Sequence, residues 1–168
     1  MEWEPPRLVK VDRYVDRRGG FVTPWDRAAT PDGFSPDSLH FSHNPEAGTL
    51  RGLHRQTPPH EQAKLVSCVR GRVFDVVVDL RLGSPGYRQW TAFWLEPMSD
   101  DALLIPRGFA HGFLTLEPDT ILCYLISGAY APAAASGLRW DDPTLAIEWP
   151  APPRVISDKD RNWPALVS

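Results

Sequence analysis

The chain has 168 residues, 42% of them apolar and 23% charged, with a formal net charge of −3; that is enough for one domain spanning 1–168 with its own core and no metal or disulfide staple, and it lacks the basic field that nucleic-acid binding needs. Eighteen prolines, about twice the usual share, exclude long helices, because each proline inside a helix costs about 3 kcal/mol. No apolar run reaches the roughly 18 residues of a membrane-spanning helix, and Met1–Pro6 carries neither the basic nor the apolar block of a signal peptide, so a cytoplasmic protein with no membrane partner is expected.

The first fifty residues hold β-like stretches at Arg7–Tyr14 and Leu39–Ser42, and a modest helix candidate at Pro24–Ala29. The longest β signal runs from Lys64 to Leu82, where two β-branched runs flank Arg70-Gly71, a two-residue turn candidate. In the second run Phe74, Val76, Val78 and Leu80 share one face, and Val73, Asp75, Val77 and Asp79 share the other. Two acids among valines predict that this second face lines something polar. Gly83-Ser84-Pro85-Gly86 breaks the chain before a strand over Tyr87–Leu95. Short strands are predicted at Ala102–Ile105, Phe113–Leu116 and Thr120–Ile126, and a last short helix in the final few residues. Short strands spaced by turns, with no sustained 3.6-residue period, predict an all-β sandwich or barrel. Cys68 and Cys123 lie in apolar strand-like runs and read as small core residues. Barrels of this size hold one small ligand in their interior, which directs attention to the polar residues.

Five histidines are present, at 40, 43, 54, 60 and 111. Pro106–His111 reads PxGxxH, half of a metal-binding barrel pattern, but the HxH pair that should precede it is missing, so no metal is expected. For acid–base chemistry the candidates are His54, just before Thr57-Pro58-Pro59, Lys64 at the head of the strongest strand, Tyr124 within an apolar strand, and Asp160 in a polar run. Taken singly, each fits a bland role better: a satisfied histidine, a solvated lysine, a core tyrosine with one hydrogen bond, a loop acid.

In combination the motifs say more. Asp16–Phe21 is similar to D-x-R-G-x-F; Leu50–His54, Ala63–Val66, Val73–Arg81 with Gly83-Ser84-Pro85, Ile105–Phe113, Tyr130-Ala131-Pro132, Arg139–Pro143 and Ile156–Asp160 follow in order. In this series the sequence resembles the dTDP-4-dehydrorhamnose 3,5-epimerase family of sugar-nucleotide epimerases, over nearly the whole chain. The resemblance implies a cupin-type jelly-roll barrel with minor short helices. It implies that His54 removes the proton next to the C4 ketone, that Asp160 orients His54, that Lys64 steadies the enolate oxygen, that Tyr124 is the acid on the opposite face, and that His111 lies in the same pocket. It further implies substrate contacts from Arg18, Phe21, Arg51, Gln56 and Tyr130, a nucleotide-sugar substrate, no cofactor, and a homodimer built through N-terminal strands. The roles suit the chemistry. A proton beside a ketone is acidic only if the enolate is stabilised, which a fixed cation achieves; histidine has a pKa near operating pH; and a buried aspartate fixes its tautomer.

The sequence also departs from the family pattern. Thr23 stands where a Glu is usual, Leu39 and Phe41 where Gln and Asn are usual, His43 where a small polar residue is usual, and Arg55 where an aromatic is common. These departures concern recognition rather than proton transfer. Two other readings remain open at this point: a sugar-nucleotide-binding barrel without activity, and a metal-dependent cupin oxygenase or isomerase.

Overall fold

A computed structural model describes residues 4–28 and 34–166. Its strands are β1 (Arg7–Lys10), β2 (Asp12–Asp16), β3 (Gly19–Thr23), β4 (Ser38–Asn44), β5 (Thr49–Gln56), β6 (Ala63–Arg70), β7 (Val73–Asp79), β8 (Trp90–Leu95), β9 (Asp101–Ile105), β10 (Phe109–Thr115), β11 (Thr120–Ser127), β12 (Ala135–Gly137) and β13 (Val155–Ile156), with a 3₁₀ turn at Pro132–Ala134 and one helix, α1 (Asp158–Arg161). Two sheets face each other in a jelly roll. The first has the order β1-β9-β6-β11-β4; the second has the order β12-β5-β10-β7-β8, with β13 added alongside β5. Every pairing is antiparallel except that of β13 with β5. Among the described residues no helix is long and apolar enough to cross a membrane.

The pleat of β7 divides as its sequence predicts. Val73 and Val77 point between the sheets, into a core with Val66, Leu103, Ile105, Phe113 and Leu122. Phe74, Val76, Val78 and Leu80 point outward, under Leu138, Leu145 and Trp149 from the C-terminal segment. With both faces covered, every residue of β7 is buried. A third cluster, Leu65, Ala102 and Leu104 with Phe34, Val9 and Trp25, covers the outside of the first sheet. Both cysteines are buried and free.

Several local expectations yield to the tertiary structure. Arg70-Gly71 does not close a hairpin: β6 pairs with β9 and β11, β7 with β8 and β10, so the chain crosses here from one sheet to the other. Gly71 makes the crossing at φ +78°, packed against Thr120 so closely that a Cβ has no room. The strand predicted from Tyr87 begins only at Trp90, because a turn through Arg88 (φ +66°) precedes it. The strand predicted from Phe113 begins already at Phe109, resuming right after Gly108. Residues 24–28 form a bend rather than a helix, and Ala29 lies outside the described residues. The terminal helix forms earlier than expected, at Asp158–Arg161, where Ser157 caps it by accepting the Asp160 N–H at 3.1 Å.

β5 and β10 approach unusually closely. A Cβ on Gly112 would lie 2.8 Å from the Arg51 carbonyl oxygen and 2.9 Å from the Gly52 Cα. Gly112→Ala should therefore cost about 1–3 kcal/mol, the range for overpacking, read as a lower denaturant midpoint at unchanged slope.

Candidate active site

The register of β5 against β10 sets His54 directly opposite His111, and both side chains point between the sheets. On the facing sheet, Tyr124 of β11 pairs with Val66 of β6, and Ile126 with Lys64. Lys64 and Tyr124 therefore look inward one rung apart. The first sheet thus contributes Lys64 and Tyr124, and the second His54, His111 and Asp75, to a barrel interior lined mostly by apolar residues. A cavity of about 190 Å³ opens at this end, lined by His54, Gln56, Lys64, Tyr130, Lys159 and Trp163 among others.

His54 is anchored from behind. Its Nε2–H donates to Asp160 Oδ1 at 2.6 Å, and Asp160 is buried. The other oxygen, Oδ2, accepts the Gly52 N–H at 3.1 Å, and the Trp163 indole N–H donates to Oδ1 at 3.2 Å. Burial works to raise the Asp160 pKa, but the bonds from His54, Gly52 and Trp163 outweigh it and hold the carboxyl below its ordinary value. With Nε2–H spent on Asp160, the Nδ1 lone pair is the basic site left to the cavity.

On the facing sheet Lys64 lines the cavity, while Tyr124, one rung away, is not among its lining residues. Neither the Lys64 ammonium nor the Tyr124 hydroxyl bonds any described residue, and neither is sealed off as a buried orphan. Burial pulls Lys64 down from 10.5 to about 8, against the attraction of Asp75. Burial, with Asp75 adding to it, pushes the Tyr124 phenol well above 10, although Arg51 opposes the shift. Tyr124 therefore stays protonated, as an acid must before it acts. His111 is 4% exposed and its ring packs edge-on to Tyr124 at 6.1 Å.

Asp75 is the residue that the sequence reading passed over as a site member. It is fully buried, and both its oxygens accept from His111 Nε2, at 2.8 and 2.9 Å. The signal for it was present, in an acid facing inward among valines. Asp79, on the same face of β7, has a different fate: it accepts from the Arg81 side chain at 2.7 and 2.9 Å and from Ser84 at 2.6 Å, and serves as a staple.

The expected substrate contacts fall in three places. Tyr130, 68% exposed, stands on the cavity wall. Gln56 also lines the cavity, but its amide is committed to the backbone of His60, Ala129 and Ala131, so it braces the segment that carries Tyr130. Arg51 bridges the edges of the two sheets through Asn44 at 2.8 Å. Arg18 and Phe21 lie on the β2–β3 hairpin, which pairs with neither barrel sheet. Arg18 is ion-paired with Asp16 and Phe21 is 70% exposed, and neither lines this chain's own cavity. Of the departing residues, Leu39 and Phe41 are exposed on β4, the edge strand, and Arg55 lines the cavity.

Residues 5–168 match the family profile described as dTDP-4-dehydrorhamnose 3,5-epimerase. The chain is 40% identical over 166 residues to the dTDP-4-dehydrorhamnose 3,5-epimerase of Sinorhizobium fredii, across 95% of this chain and 84% of that protein. It is 46% identical over 115 residues to the dTDP-4-dehydrorhamnose 3-epimerase of Streptomyces niveus, across 68% of this chain and 56% of that one. Its structure is similar to the crystal structure of dTDP-4-dehydrorhamnose 3,5-epimerase from Bacillus anthracis with TDP and PPi bound, at TM-score 0.90 and 38% identity, covering 96% of this chain and 94% of that one. The chain belongs to the dTDP-4-dehydrorhamnose 3,5-epimerase family.

The anchoring of His54 has a measurable signature. Asp160→Asn should cost about 1–3 kcal/mol at neutral pH, because it weakens the charge-assisted bonds to three donors. A carboxyl whose folded pKa is depressed stabilises the fold above its unfolded value and loses that contribution as pH falls through the folded value. The gap between native protein and variant should therefore close below about pH 4, which urea titrations across the acid range will read.

Proposed function

We propose that this chain epimerises a nucleotide-linked 4-keto-6-deoxyhexose, a dTDP sugar first of all, at C3, at C5 or at both. The observation that supports the reading is that His54, backed by Asp160, lies on one sheet and Tyr124, whose hydroxyl bonds no described residue, on the facing one, the positions a base and an acid would take. Inversion needs this arrangement, because a proton leaves one face of the carbon and returns to the other.

In the proposed sequence His54 Nδ1 takes the proton from a carbon flanking the C4 ketone, and the electron pair moves onto O4. The Lys64 ammonium, desolvated and without another partner, stabilises the enolate oxygen; fixed charge in a site shielded from water is worth far more than in bulk. Tyr124 then delivers its proton to the opposite face. Asp160 holds the His54 tautomer and stabilises the imidazolium that forms. The carbon skeleton keeps its oxidation state throughout, so the sequence calls for no hydride carrier. Lys159 and Tyr130 at the cavity wall and Arg51 at the sheet edge are assigned to the nucleotide diphosphate.

The same proposal covers the assembly. Tyr14, Val15 and Phe21 on the β2–β3 hairpin and Leu39 and Phe41 on β4 are all exposed, more apolar surface than a monomer usually leaves bare. β1 already occupies the edge of its own chain's first sheet, so the hairpin is the N-terminal segment left to meet a second copy. In such a homodimer Arg18 and Phe21 would reach the partner's substrate. A single domain acting in the cytoplasm completes the reading.

Proton NMR of the protein with dTDP-4-keto-6-deoxyglucose in deuterated water tests the proposal. Deuterium at C3 and C5 is the outcome for a double epimerase, and deuterium at C3 alone for a 3-epimerase. No incorporation with this sugar or with its cytidine-linked counterpart would favour a barrel that binds without catalysis. Tyr124→Phe should still exchange the α-proton while failing to invert; His54→Gln should lose at least about 10²-fold in rate.

Lys64 adds a pH dependence. Its ammonium is present below about pH 8 and lost above, so kcat/KM should fall on that side. Lys64→Arg, whose cation persists to far higher pH, should remove that alkaline limb even where it lowers the rate. A limb that stays at about pH 8 in this variant would assign it to another group.

A further inference from the structure

Asp160 serves more donors than the orientation of one histidine requires. Its Oδ1 accepts the His54 Nε2–H at 2.6 Å and, on the same oxygen, the Trp163 indole N–H at 3.2 Å. Oδ2 is taken by the Gly52 N–H. Holding the imidazole in one tautomer needs only the first of these bonds, and filling the space beside it needs only an apolar ring. Trp163 brings a donor as well.

Several contacts fix that donor in place. The indole lies so close on Gly137 of β12 that a Cβ there would come within 2.5 Å of Cε2. The His54 ring meets it edge-on at 6.3 Å, and the Lys159 ammonium, four residues earlier, stands 5.2 Å over the ring. Trp163 is half-buried and shares the cavity lining with His54. Two donors on one oxygen compete. Each draws off part of the negative charge that the other uses, so the indole N–H weakens the bond between Asp160 and the histidine. The loss is greater for the imidazolium, whose bond to the carboxylate is an ion pair, than for the neutral ring. An imidazolium held too firmly could not act as a base.

We infer that Trp163 is a positioning residue for the base: its indole N–H shares Oδ1 with the His54 ring and loosens the hold of Asp160 on the imidazolium, so that His54 gives up its proton more readily. The consequence for turnover rests on the proposed epimerase reading; the consequence for the ionisation of His54 does not. The other charged and titratable groups about His54 are Lys159 of α1, His111 of β10 opposite in register, and Arg55, Lys64 and Tyr130 on the cavity lining. A substitution confined to Trp163 leaves all of them in place.

Trp163→Phe keeps an apolar ring on Gly137 and removes the N–H. The ring-proton shifts of His54, followed against pH by NMR in the free protein, read its ionisation with no substrate present. The midpoint should lie higher in Trp163→Phe than in the native protein by about half a pH unit or more, about threefold in proton affinity. In an Asp160→Asn background the same substitution should leave the midpoint unmoved, because the charge it acts through is gone. Benzothienylalanine at position 163 keeps both rings and replaces the N–H with sulfur; it should reproduce the rise without a change of shape. A midpoint that stays or falls in these variants, or that rises equally in the Asp160→Asn background, overturns the inference. With dTDP-4-keto-6-deoxyglucose the acid limb of kcat/KM should move up by the same amount while the alkaline limb stays. An acid limb that stays while the NMR midpoint moves overturns the link between Trp163 and the base. If the sugar is not turned over at all, the epimerase reading falls, while the NMR titration still decides what Trp163 does to His54.

Discussion

One carboxylate ties the end of the chain to the middle of the barrel. Asp160 collects the His54 ring, the Gly52 N–H and the Trp163 indole N–H, and much of the local architecture exists to let it do so. Ser157 caps the single helical turn that carries Asp160. Gly137 lets Trp163 lie flush on the sheet, since a Cβ there would sit 2.5 Å from the indole. Gly52 takes φ +143° and packs against the backbone of Gly112, which a side chain on either residue would prevent. A helix acid and a strand glycine and histidine more than a hundred residues before it become one unit, and that unit decides which nitrogen of His54 is left to face the cavity.

The two-sheet architecture supplies the rest. Facing sheets pack about 10 Å apart, a gap that inward side chains fill except where the cavity opens beside His54 and Lys64. The proposed inversion needs a base and an acid on opposite faces of the ring, and His54 and Tyr124 lie on opposite sheets. The apolar core behind them, from Val66 to Leu122, keeps water away from Lys64 and so makes its charge effective. The same desolvation that draws the Lys64 ammonium down to about 8 and lifts the Tyr124 phenol gives each group its suitability for the task.

How much of this was legible in the sequence depended on whether local pattern or tertiary context decided the outcome. The alternation in Val73–Asp79 could be read directly, because period-2 patterning survives in any sheet. Arg70-Gly71 could not: two strands flanking a glycine look alike whether they pair or part, and here they part between sheets. The family motifs singled out His54, Lys64, Tyr124 and Asp160, which no spacing rule could have done; His54 and Lys64 line the cavity and Asp160 holds His54 from behind. Gln56 was legible as a polar residue beside the site but not as a brace, because two of its three backbone partners lie about seventy residues away. Arg18 and Phe21 were legible as motif residues, yet their place relative to a substrate depends on contacts that a single chain does not contain.

Asp75 and Asp79 show most directly what the sequence withholds. They are four residues apart on one face of one strand, and the same polar alternation announces both. Asp79 meets Arg81 and Ser84 at the strand end, where the chain turns back within hydrogen-bonding reach, and its charge is neutralised locally. Asp75 sits mid-strand opposite Phe113, with only a histidine from the neighbouring strand to take its charge. A staple can be recognised by its cation close by in sequence; a carboxylate buried without one has its partner elsewhere in the fold. Such a carboxylate is costly to the core, and the cost is offset only where its partner does work that an apolar residue could not.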